Sequence, residues 1–60
     1  MIGNAWEELG ARIAASGNED SSGLRRTIAG MLSRNELSDA AELLKITVSE
    51  AGQLRSRFVA

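Results

Sequence analysis

Apolar residues recur every three or four positions along almost the whole of this chain, and nowhere do they alternate at two for long enough to make a strand. That spacing puts them on one face of a helix and predicts an all-α protein. Ile2, Trp6, Leu9 and Ile13 define the first helix, expected over about 4–15, with Asn4 as its N-cap and Glu7 at the third helical position. Gly17 is suited to ending it, because glycine takes left-handed backbone at little cost. The polar stretch Ser16-Gly17-Asn18-Glu19-Asp20-Ser21-Ser22-Gly23 reads as a flexible loop, long for a helix connection. A first helix tethered that way is expected to be loosely attached or to dock on another subunit. Leu24, Ile28, Met31 and Leu32 mark a second helix over about 22–34, with Asn35 as its stop.

The third helix is expected over about 39–45, capped by Ser38, with Asp39 in its first turn where a carboxylate complements the helix dipole. A break then follows. Ile46-Thr47-Val48 are three β-branched residues in succession, which helices tolerate without favouring. Thr47-Val48-Ser49-Glu50 matches the capping box, in which a threonine hydroxyl and a glutamate three residues on cap each other's backbone N–H. The chain therefore bends near Ile46–Thr47, and a fourth helix runs over about 48–59. The whole is a single small domain of three or four helices: an N-terminal helix within 1–16, a loop over 17–23 and a helical unit over 24–60.

Composition narrows the function. A 60-residue chain buries too little surface to be more than marginally stable alone, and such chains commonly rely on disulfides, metals or self-association. With no Cys and no His, the first two devices lack their usual ligands, and a homodimer is expected. Without His, Cys or Tyr, and with Lys45 the only lysine, no nucleophile has an evident base, so an enzyme is not expected. Nothing calls for a cofactor, a metal or a small-molecule substrate. No apolar run approaches a membrane span and the first residues do not read as a signal peptide, so the expected location is cytoplasmic. Charge is unevenly spread: residues 1–20 have one cation against four carboxylates, whereas residues 21–60 have six cations against four.

The segment from Leu37 to Arg57, with Ala40-Ala41-Glu42-Leu43-Leu44 before the turn and Thr47-Val48-Ser49-Glu50-Ala51-Gly52-Gln53-Leu54 after it, resembles the helix-turn-helix DNA-binding family. It is closest to the Fis-like and excisionase-like members. The resemblance implies a small, non-enzymatic DNA-binding regulator of phage or plasmid type, a dimer on duplex DNA, with the last helix in the major groove. It implies that Ala41 lets the two helices approach, while Leu44, Ile46, Ala51 and Leu54 fill the space between them. Ser49, Glu50, Gly52 and Gln53 would then meet base edges, and Arg55 and Arg57 phosphates. Thr47 and Ser49 would donate to phosphate at the helix N-terminus. The turn position this family usually gives to glycine is Lys45 here, so either Lys45 is left-handed or the turn differs.

A second reading competes with the first. Leu37, Leu44, Ala51 and Phe58 are spaced by seven residues, and one unbroken helix over 38–59 would present them as a seam. Trp6, Leu9, Ile13, Leu44 and Phe58 would then form an apolar face that docks on a larger protein partner or a second copy. Gly10, Gly30 and Gly52 all fall in helical stretches, and close helix approach would be their common explanation.

Overall fold

The computed structural model describes residues 3–59, which form four α-helices and no strand. They are α1 (Gly3–Ala15), α2 (Ser22–Ser33), α3 (Leu37–Leu44) and α4 (Val48–Phe58). No helix among these residues is long and apolar enough to cross a membrane.

Helix ends follow local chemistry. Gly17, at φ +91°, terminates α1: its N–H donates to Ala14 O (3.1 Å) and the Asn18 N–H to Ile13 O (3.3 Å). These two bonds are the Schellman pattern, which satisfies carbonyls the helix leaves unpaired. Asn35 repeats it after α2 at φ 63°, with Asn35 N–H on Leu32 O (3.1 Å) and Glu36 N–H on Met31 O (2.8 Å). Ser21 caps α2 by accepting the Leu24 N–H at 3.1 Å.

Two expected starts move. Asn4 lies inside α1 and is not its N-cap, and Ile2 lies outside the described residues. Ser38 is not the cap of α3 either, because α3 begins one residue earlier, at Leu37 behind Glu36. With Glu36 at that position, α3 lacks a side-chain cap.

Leu9, Ile13, Ile28, Leu32, Ala40, Ala41, Leu44, Ala51 and Leu54 make one buried core drawn from all four helices. The Cα radius of gyration is 10.0 Å, what a folded chain of this length reaches as a single compact body (about 10 Å). Two expectations are corrected here. The first helix is not loosely attached, since Leu9 and Ile13 are fully buried against the other three helices. Leu9, Ile13 and Leu44 are also not a docking face, because the core of their own chain consumes them.

The connection between α1 and α2 spans 16–21, because Ser22 and Gly23 are already helical. It is tied at several points. Ser16 Oγ donates to Ile13 O (2.7 Å), and Asn18 Nδ2 donates to Ser16 Oγ (2.9 Å) and to Leu43 O at the end of α3 (3.1 Å). Arg25 holds the Asp20 carboxylate with two bonds of 2.8 and 2.6 Å, donates to Trp6 O (3.3 Å) and lies over the Trp6 ring, 5.5 Å from its centroid. The Arg25 bond, and then its charge, hold the Asp20 carboxyl below the usual range, and Asp20 raises Arg25 in return.

Gly10 makes this arrangement possible, since a Cβ there would coincide with the Arg25 guanidinium. Trp6 is accordingly half-buried beneath an arginine and does not stand clear as an anchor. Close helix crossing does not account for Gly30 and Gly52. A Cβ at Gly30 would meet only the Arg34 guanidinium, and one at Gly52 would reach Leu37 Cδ1 at an ordinary 3.6 Å.

Candidate nucleic-acid interface

The decisive segment is 45–47. Lys45 takes left-handed backbone (φ 56°, ψ 45°), and its N–H bonds back to Ala41 O. The Ile46 N–H also reaches Ala41 O, at 3.1 Å. Thr47 is extended (φ −76°, ψ 159°) and starts α4. One unbroken helix over 38–59 is therefore ruled out, and with it the seven-residue seam: Leu44 and Ala51 lie on different helices and are buried. The β-branched run coincides with the interruption because Ile46 and Thr47 favour extended backbone, while the half-buried Ile46 packs against the core.

The capping box at this bend is complete. Thr47 Oγ1 accepts the Glu50 N–H (3.0 Å), Glu50 Oε1 accepts the Thr47 N–H (2.8 Å), and the threonine hydroxyl donates to the same carboxylate oxygen (3.1 Å). The Thr47 backbone bond, then its hydroxyl, and more weakly the charge of Arg12, hold the Glu50 carboxyl below its usual range. Thr47→Ala is expected to cost about 1 kcal/mol, the usual loss on removing a cap, whereas Thr47→Ser keeps the hydroxyl and stays near wild type. Urea unfolding of the two variants side by side checks this; equal losses would show that the hydroxyl is not the cap.

With its start fixed, α4 turns Ala51 and Leu54 into the core and leaves Ser49, Gln53 and Ser56 exposed. Spacings of four and three residues place these three on one stripe. Val48, 50% exposed, and the half-buried Gly52 flank it. Ser56 was missed in the sequence, although it stands seven residues from Ser49 and the spacing alone would have found it. Its hydroxyl donates to Gln53 O at 2.7 Å.

The structure divides the expected site residues. Ser49 and Gln53 lie together on the exposed stripe. Thr47 and Glu50 are occupied by each other, and the Thr47 hydroxyl proton is not available to a phosphate unless the cap opens. Arg55 is half-buried and donates from Nε to Leu32 O (2.8 Å), so it fastens α4 to the carbonyl end of α2. Arg57 is exposed but pairs with Glu8 of α1. Phe58 is half-buried against the core. Lys45 and Arg26 are exposed and make no ion pair with another described residue. Among the described residues, no group of three potential metal ligands comes together. No family model, no curated protein and no solved structure matches this chain.

Proposed function

We propose that this protein is a small DNA-binding regulator that lays α4 in the major groove. The observation that carries the reading is the bend at Lys45–Thr47. It turns α4 into a separate rod whose inner side is locked by Ala51 and Leu54 and whose outer side is the polar stripe Ser49, Gln53 and Ser56. A short helix, a tight turn and a capped second helix are the parts of a helix-turn-helix reader. The outer side chains are small apart from Gln53, so the backbone of α4 can approach the base edges closely.

In this reading Gln53 is the specifying residue, its amide pairing with adenine N6 and N7. Ser49 and the outward N–H groups of the first turn meet a phosphate. Arg57 and Lys45 meet neighbouring phosphates and set the register without reading sequence. Thr47 and Glu50 act indirectly, by holding the start of α4. The protein works as a homodimer on two half-sites, since one helix of 11 residues reads only a few base pairs.

With a net charge of −1, the protein has little general attraction for DNA, so base contacts carry a large share of its affinity. Selection from a random duplex library is expected to return a defined half-site. Gln53→Ala should then weaken binding to that site by about tenfold, the weight of one bidentate base contact, and flatten the preference at one base pair. Fluorescence anisotropy on selected and scrambled duplexes measures both. Recovery of no preferred sequence, or unchanged binding by Gln53→Ala, defeats the reading.

A further inference from the structure

We infer that Glu8 is an autoinhibitory residue that occupies Arg57 in place of a DNA phosphate; this rests on the DNA-binding reading above. Glu8 is on α1 and Arg57 is in the last turn of α4, 49 residues apart in sequence, yet the Arg57 guanidinium is hydrogen-bonded to Glu8 Oε1. The other carboxylate oxygen faces Arg12 Nη2 at 3.8 Å. A short line of alternating charge, Arg57, Glu8 and Arg12, thus joins the end of α4 to α1.

Two features of this line suit a releasable contact. A carboxylate offers a guanidinium the same kind of paired oxygen acceptors as a phosphate, so Glu8 competes for the surface that DNA would use. The Arg57 side chain is 57% exposed while that of Glu8 is 29% exposed, so Arg57 can swing outward without opening the core. When it leaves, Glu8 keeps Arg12 as its partner and is not stranded. Glu8 then has a role: it quenches the cation of the reading helix until DNA replaces it.

The test is anisotropy titration of the selected half-site duplex at low salt with the wild type, Glu8→Gln, Glu19→Gln, Arg57→Gln and the Glu8→Gln/Arg57→Gln double variant. Glu19 is an exposed loop carboxylate with no ion-pair partner among the described residues, so it reports the general effect of losing one negative charge. Glu8→Gln is expected to tighten binding by roughly two- to fivefold, the range an exposed ion pair can withhold, and by more than Glu19→Gln does. Its salt dependence should steepen by about 0.9 in log–log slope, one further phosphate contact. In the Arg57→Gln background the extra gain should vanish.

Binding by Glu8→Gln equal to that of Glu19→Gln overturns the inference and leaves the DNA-binding reading standing. A gain that persists without Arg57 overturns it as well. Absence of DNA binding by every variant removes both. Circular dichroism of Glu8→Gln separates these outcomes from a change in fold, and the slope gives a readout that loss of a merely structural contact would not move.

Discussion

Leu9→Ala is expected to remove about 2–5 kcal/mol of stability, the usual cost of emptying a fully enclosed leucine site. Leu9 has no exposed surface and joins α1 to a core built by all four helices. A 60-residue chain has only about 3–9 kcal/mol in total, so the substitution consumes much of it. At roughly 4–8 °C per kcal/mol for a domain of this size, the melting temperature should fall by at least about 8 °C, or the cooperative transition should disappear. Thermal unfolding followed at 222 nm measures this. The result also separates two roles for the residue: a side chain on a docking face would leave the isolated monomer almost unchanged when truncated.

Ala51→Leu has the next largest expected effect. Ala51 is the first fully buried residue of α4 and shares the core with Ala40 and Ala41 of α3. The helices flanking the turn meet through small side chains, and a leucine at this position would force them apart. Overpacking of this kind costs roughly 1–3 kcal/mol. Ala14→Leu, on the exposed side of α1, adds the same atoms in solvent and should stay within about 0.5 kcal/mol of wild type. Urea titration of both variants gives the comparison. If Ala51→Leu is as benign as Ala14→Leu, the two helices are not in the close approach described. Because Ala51 lies opposite the Ser49–Gln53–Ser56 stripe, the same variant should also re-aim α4 and weaken binding to the selected DNA half-site.

Much of the backbone was legible in the sequence because its signals are local. Gly17 and Asn35 stop helices through a left-handed residue, and Thr47 with Glu50 starts one through reciprocal hydrogen bonds spanning four residues. Each involves neighbours in the chain, so the residues name the outcome. The starts at Asn4 and Ser38 were misplaced for the complementary reason: a good capping residue is no cap when the preceding backbone is already helical. Lys45 shows the limit at a single position. Its sequence left open a left-handed lysine or a different turn, and the packing of Ile46 and Leu44 on the core accompanies the first.

The candidate site was half legible. Ser49 and Gln53 follow from helical spacing once the start of α4 is known, and Ser56 follows from the same rule. The partners of the arginines could not be read, because they are distant in sequence. Arg55 reaches the Leu32 carbonyl, Arg57 reaches Glu8, and Arg25 crosses Gly10 to Trp6 and Asp20. A charged side chain has the same composition whether it faces solvent, a phosphate or its own backbone.

By itself, then, the order of residues determined an all-helical chain, which side of each helix is apolar and a capping signal at Thr47, since periodicity and capping act over a few residues; whether 38–59 is one helix or two was decided only by the folded arrangement. Only the folded arrangement decided that those apolar sides meet one another in one core. It also decided which cations of α4 are already held, because such contacts join positions that only the packing of α1 and α2 against α4 brings within reach.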